Sequence, residues 1–156
     1  MRRCVFFDRD GVINVKAEPG EYIRSWEEFQ LIPTVVDWIR LFNALDLLVI
    51  VVTNQRGVAR GVMKPEELER IHERMRVELD RAGARIDDIF CCVHEEGTCE
   101  CRKPRPGMVL EAVRKWDIDM GHSIVIGDSD AERELAQTCG MRFVCVETGT
   151  VREVVG

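Results

Sequence analysis

The stretch Cys4-Val5-Phe6-Phe7-Asp8-Arg9-Asp10-Gly11 decides how this chain is read. Four apolar residues in an unbroken run suit a strand buried on both faces; a half-exposed strand would alternate. The run stops at one carboxylate, a second follows two residues on, and Gly11 permits a tight turn after them. Further short apolar runs follow at Leu47–Val52, Ile89–Val93, Ser123–Ile126 and Arg142–Val146. Helical patterns lie between them, near Thr34–Ala44, Pro65–Ala82, Pro106–Trp116 and Ala131–Cys139. The second is the clearest: Leu68, Ile71, Met75, Leu79 and Ala82 recur at spacings of three and four, Pro65 and two glutamates suit its start, and Gly83 suits its stop. In the third helix, Met108, Val109, Ala112, Val113 and Trp116 are expected to face the core. Strands alternating with helices predict βαβ units and an α/β fold with a mostly parallel sheet. Such sheets present their sites at the carboxyl ends of the strands. The segment Gly11–Ile32, with Pro19 and Gly20, reads as a loop or flap folded over those ends.

The chain has 156 residues, enough for one domain spanning 1–156. Hydrophobic residues at 46% and charged residues at 32% indicate a soluble, globular chain. A formal charge of -6 argues against a general nucleic-acid or anionic-membrane surface. No apolar stretch approaches the roughly 20 residues of a membrane span, and the N-terminal run is too short for a signal-peptide core. The expected location is cytoplasmic. Seven cysteines, an odd number, do not suggest a disulfide framework.

Chemistry is concentrated at the strand ends. Paired carboxylates at Asp8 and Asp10 suit a divalent cation, with one attacking phosphorus and the other moving a proton. By itself a DxD pair is equally compatible with a capped turn. Thr53, in Val52-Thr53-Asn54-Gln55, ends the second strand where hydroxyl and amides suit phosphate oxygens. Arg102-Lys103 places two cations before a helix, and Lys103 suits neutralisation of a phosphoryl group. Asp128, in Gly127-Asp128-Ser129-Asp130, ends the fourth strand as a further metal ligand. Oxygen ligands beside phosphate favour Mg²⁺. Singly, each of these has an ordinary structural explanation, as a polar strand end or a solvated basic patch; their order and placement carry the reading.

In that order they resemble the four motifs of the haloacid dehalogenase (HAD) superfamily of phosphotransferases. Phe7-Asp8-Arg9-Asp10-Gly11 matches the first, Thr53 the second, Lys103 the third and Gly127-Asp128 the fourth, with Glu132 or Asp130 as the second acid there. The resemblance implies a Rossmann-like three-layer sandwich. It makes Asp8 the nucleophile and Asp10 the acid and base. It implies Mg²⁺ bound by Asp8, the Asp10 carbonyl and Asp128, with Thr53 and Lys103 holding the phosphoryl group.

A second cluster narrows the family. Cys92-Val93-His94 and Cys99-Glu100-Cys101 form two short chelating pairs compatible with a closed, structural Cys₃His zinc site. Cys91 should point away from it as a core thiol. Cys4, Cys139 and Cys145 read as core residues, and His72 and His122 as surface residues. Asp8-Arg9-Asp10-Gly11-Val12-Ile13-Asn14-Val15, Thr53 to Gly61 and Cys99 to Met108 resemble the D-glycero-D-manno-heptose 1,7-bisphosphate 7-phosphatases, a capless HAD group. That resemblance makes Cys92, His94, Cys99 and Cys101 the zinc ligands and Arg102 a substrate-recognition residue. It places Asn54, Gln55 and Arg56 near the substrate.

The implied activity is Mg²⁺-dependent removal of the 7-phosphate in ADP- or GDP-heptose precursor synthesis, by a monomer acting on a small phosphorylated sugar. The alternatives are histidinol-phosphate phosphatase, since the His94–Cys99 loop is short as in that branch, or another small sugar-phosphate phosphatase. Val58-Ala59-Arg60-Gly61 favours the heptose branch. Arg56 and the flap Lys16–Tyr22 depart from the family pattern. A nucleic-acid 3′-phosphatase fits poorly with the acidic balance, and a zinc-stabilised binding module fits poorly with four intact motifs.

Overall fold

A computed structural model describes all 156 residues, Met1 to Gly156. Cys4–Phe7 forms strand β1, buried along its whole length. It pairs in parallel with β2 (Leu48–Asn54) on one side and β4 (Ile124–Gly127) on the other. Strand β3 (Asp88–Cys92) adds in parallel to β2, and β5 (Arg142–Glu147) to β4. A sixth strand, β6 (Thr150–Val155), folds back antiparallel on β5, giving the order β3-β2-β1-β4-β5-β6.

The unbroken apolar runs follow from two-sided burial. Alternate residues of each strand feed two separate cores. On one face, Cys4, Phe6, Leu48, Ile50, Val52, Val125 and Phe143 pack against α3 (Gly107–Trp116) and α4 (Asp130–Cys139). On the other, Val5, Phe7, Val49, Val51 and Ile126 pack against α1 (Pro33–Ala44) and α2 (Pro65–Arg81). This is the three-layer α/β sandwich expected. Met108, Val109 and Ala112 are buried, with Val113 and Trp116 packed beside them. In α2 the predicted stripe holds except at its end: Ala82 is an exposed cap, and Ala84 enters the core instead.

Two details place the site. Chain order runs outward from β1 to β2 and β3, then jumps back to β4 on the other side of β1. The crevice at this switch point lies at the carboxyl ends of β1 and β4, where α/β sheets bind ligands. Strand β2 also runs two residues past the predicted Val52, because Thr53 and Asn54 pair with Cys91 and Cys92. That pairing brings the second motif and the start of the zinc loop side by side. The flap between β1 and α1 contains one 3₁₀ turn, Trp26–Glu28.

Candidate active site

Asp8 leaves β1 with its amide donating to the carbonyl of Ile126 in β4 (2.9 Å). Its buried carboxylate accepts at Oδ1 from the Arg9 amide (2.9 Å) and from Lys103 Nζ (2.8 Å). Both donors take the same oxygen, which leaves Oδ2 for a reacting partner. Lys103 is itself buried, steadied by the Val52 carbonyl (2.8 Å) and by Glu132 Oε2 at 3.5 Å. Asn54 grips the Lys103 backbone from both ends of its amide: Nδ2 donates to the Lys103 carbonyl (3.2 Å) and Oδ1 accepts its N–H (3.0 Å).

Asp8, Asp128 and Glu132 bring carboxylate oxygens within 4.8 Å of one another. Two glycines make this approach possible. A Cβ at Gly11, whose φ is +87°, would collide with the Asp128 carboxylate, and a Cβ at Gly127 would collide with the Glu132 side chain. Ser129 Oγ donates to Glu132 Oε1 (2.9 Å). Asp130 is 97% exposed and faces Arg133, so Glu132, not Asp130, stands with Asp8 and Asp128. Burial drives the Asp8 carboxyl well above its ordinary range; Lys103 pulls it down, while Glu132 and Asp128 add to the rise. Burial likewise works against the Lys103 ammonium, but Asp8 and Glu132 outweigh it and hold it above its usual value. Three clustered oxygen acids facing a cavity fit a hard dication. From the flap, Lys16 reaches Asp128 (2.8 Å).

The Asp10 side chain turns away from this cluster. Its Oδ1 accepts from Arg9 Nη2 (2.7 Å) and Asn14 Nδ2 (3.0 Å), and its Oδ2 from Gln55 Nε2 (2.8 Å). Burial pushes this carboxyl up, but the Arg9 charge and these hydrogen bonds prevail and hold it below the usual range. Thr53 is wholly buried behind them, its Oγ1 accepting from Gln55 Nε2 (2.9 Å).

Asp8, Asp10, Asn54, Gln55, Arg102, Lys103 and Asp128 all line one cavity of about 550 Å³, covered by the flap residues from Lys16 to Ile23. Arg56 does not line it. Its guanidinium lies 3.5 Å from Glu95 and 4.0 Å from Glu96 in the zinc loop. Arg60 joins the same group, bonding Glu95 and the Tyr22 hydroxyl (3.3 Å). These contacts tie flap, second motif and zinc loop together at the rim.

Cys92, His94, Cys99 and Cys101 place their donor atoms within 4.8 Å of one another, the donor set and spacing of a tetrahedral zinc site. His94 turns Nδ1 inward, 3.1 Å from Cys101 Sγ. Burial raises the Cys99 thiol, but the Arg102 amide and the Cys101 and Cys92 thiols outweigh it and bring Cys99 down to about 6. Cys91 points the opposite way, as strand alternation requires. His72, expected at the surface, is instead buried at 7% exposure between Arg9 and Cys91. His122 is exposed and pairs with Asp119.

Known proteins carry the same architecture. Residues 100–154 match the HAD-hydrolase-like family model. The chain is 42% identical over 148 residues to the D-glycero-beta-D-manno-heptose-1,7-bisphosphate 7-phosphatase of Rhodopseudomonas palustris, covering 90% of this chain and 81% of that one. It is 40% identical over 135 residues to the D-glycero-alpha-D-manno-heptose-1,7-bisphosphate 7-phosphatase of Mycobacterium bovis, covering 85% and 70%. The crystal structure of D,D-heptose 1,7-bisphosphate phosphatase from B. bronchiseptica, complexed with magnesium and phosphate, superposes with a TM-score of 0.86 at 32% identity, covering 94% of this chain and 83% of that one. With relatives this similar over most of both lengths, the chain belongs to the heptose-1,7-bisphosphate 7-phosphatase family of HAD-like hydrolases.

Proposed function

We propose that this chain is a Mg²⁺-dependent phosphatase that removes the 7-phosphate of D-glycero-D-manno-heptose 1,7-bisphosphate through an aspartyl-phosphate on Asp8. The observation that carries the reading is the buried arrangement of Asp8 Oδ1 on Lys103 Nζ beside Asp128 and Glu132, at the wall of one cavity.

Asp8, Asp128 and Glu132, with the Asp10 carbonyl, would hold Mg²⁺, which when bound offsets the repulsion between a carboxylate and an anionic phosphoryl group. Asp8 Oδ2 attacks phosphorus, and the bond to the sugar oxygen breaks. That oxygen takes its electron pair and a proton from Oδ2 of Asp10, whose protonated form the anionic phosphoryl group beside it favours against Arg9. Asp10, now ionised, removes a proton from water; the water oxygen attacks phosphorus, and Asp8 leaves as a carboxylate. Lys103 balances charge at Asp8 throughout. Thr53 serves the phosphoryl group with the hydrogen that its hydroxyl does not spend on Gln55. Asn54 acts by fixing Lys103, and Arg102 faces the substrate from the cavity wall.

Zinc on Cys92, His94, Cys99 and Cys101 would be structural, since four protein ligands leave no open position. It would hold the loop that delivers Arg102 and Lys103. The substrate is a small phosphorylated sugar, and the working unit is the single domain 1–156. Turnover of the heptose 1,7-bisphosphate should exceed turnover of histidinol phosphate per active site, with Mg²⁺ present. Faster turnover of histidinol phosphate would overturn the substrate assignment.

A further inference from the structure

Arg9 sits between the two catalytic aspartates, yet it is 0% exposed. A buried guanidinium must have partners, and each of its three donor groups has one. Nε donates to Asn14 Oδ1 (3.1 Å), Nη1 to His72 Nε2 (3.0 Å) and Nη2 to Asp10 Oδ1 (2.7 Å). Asn14, also fully buried, closes the figure: its Nδ2 donates to the same Asp10 Oδ1 (3.0 Å) and to the Val15 carbonyl (3.1 Å). Arg9, Asn14 and Asp10 therefore form a closed triangle, which sets the Asn14 amide with its oxygen toward Arg9 and its nitrogen toward Asp10.

His72 is the outer anchor of this triangle, on helix α2. To accept from Arg9, its Nε2 must be bare, so its proton is on Nδ1, which faces Cys91 Sγ at 3.5 Å. A protonated His72 would set two cations together in the core. The imidazole is thus a neutral acceptor that fixes the guanidinium from the side away from Asp10.

We infer that Arg9, seated on neutral His72, is the positioning residue that aims Asp10. A carboxylate has about four lone-pair sites. Arg9 and Asn14 occupy both sites of Oδ1, and Gln55 takes one of Oδ2 (2.8 Å). One lone pair of Oδ2 remains, on a side chain 24% exposed and lining the cavity. That atom carries the proton to the sugar oxygen as the P–O bond breaks, and receives the proton of water when the aspartyl-phosphate is hydrolysed. Without the triangle, Asp10 rotates, and proton delivery suffers before phosphoryl binding does.

The inference rests on the proposed phosphatase reading, and its test separates the two. Arg9→Met, His72→Leu and His72→Gln are compared with wild type, with Mg²⁺, on the heptose 1,7-bisphosphate and on p-nitrophenyl phosphate. The ratio kcat/KM covers the steps up to release of the leaving group. A sugar oxygen needs a proton as it leaves; p-nitrophenolate leaves as the anion. In His72→Leu and Arg9→Met, kcat/KM should fall by about tenfold or more on the heptose and much less on the aryl ester. His72→Gln, whose amide oxygen still accepts from Arg9, should restore the heptose value. If Arg9→Met does not fold, the two His72 variants decide. Equal losses on both substrates, no loss on either, or no rescue by glutamine would overturn the positioning role. A wild-type chain that releases no phosphate from the heptose would overturn the phosphatase reading, and the positioning role with it.

Discussion

Lys103 Nζ lies 2.8 Å from Asp8 Oδ1, both groups buried, although the residues are 95 positions apart. The ammonium is the buried cation among Asp8, Asp128 and Glu132; Lys16 reaches Asp128 from the flap but is more than half exposed. Lys103→Met keeps the volume and removes the charge. Turnover should fall by about 100-fold or more, as for loss of a preorganised group facing developing negative charge. The variant should also melt lower than wild type without metal, because only the half-exposed Lys16 then stands against three clustered carboxylates, and Mg²⁺ should recover part of the loss. Steady-state rates and thermal melts with and without Mg²⁺ check both effects. Unchanged turnover would remove Lys103 from the phosphoryl site.

Glu132 and Asp130 both follow Asp128 closely enough to be its partner acid. The fold separates them: Glu132 is buried against Ser129 and Lys103, while Asp130 opens α4 in solvent. Glu132→Gln should raise the Mg²⁺ concentration for half-maximal activity at least about tenfold, whereas Asp130→Asn should leave it within about twofold. A Mg²⁺ titration of each variant distinguishes them. A reversed order would reassign the fourth motif.

Chelation of zinc should undo the loop from Cys92 to Cys101 and, with it, the placement of Lys103. Elemental analysis of purified protein should find one tightly bound equivalent. Cys101→Ser should lower that figure and reduce the melting temperature by about 10 °C or more. Full stability and activity in metal-free protein would contradict a structural role.

Burial first, and then the Arg9 charge, bring the His72 imidazole down from 6.5 to about 3. The unfolded chain therefore takes up a proton near pH 6.5 that the folded chain refuses until about pH 3. More protons on the unfolded state mean that stability falls as pH drops through that window, by at most about 1.4 kcal/mol per pH unit from this one group. His72→Gln removes the term. Its stability between pH 6.5 and pH 4 should decline less steeply than that of wild type in denaturant titrations. Parallel slopes would mean that His72 titrates in the folded protein.

What was legible in the sequence has a physical pattern. Strands buried on both faces cannot hide their apolar runs, so β1 to β5 could be read, and the motif residues follow from where those runs stop. The four residues that could hold zinc lie within ten positions, so their chemistry is legible locally. Strand β6 offers no apolar run to read: its residues are exposed throughout, and Thr150-Val151-Arg152-Glu153 reads as a surface segment. His72 looked like a surface residue because its partner, Arg9, is 63 positions away. Arg56 was expected at the substrate, but Glu95 and Glu96 draw it to the rim, an ion pairing that depends on how the zinc loop folds.

Asp8 Oδ2 is the atom that should receive the phosphoryl group. Wild-type protein mixed with the heptose bisphosphate labelled in its 7-phosphate, and quenched in acid within a single turnover, should carry the label on the peptide containing Asp8. Asp8→Asn should remain folded, carry no label and release no phosphate. Label on another residue, or near-normal turnover by Asp8→Asn, would contradict the mechanism.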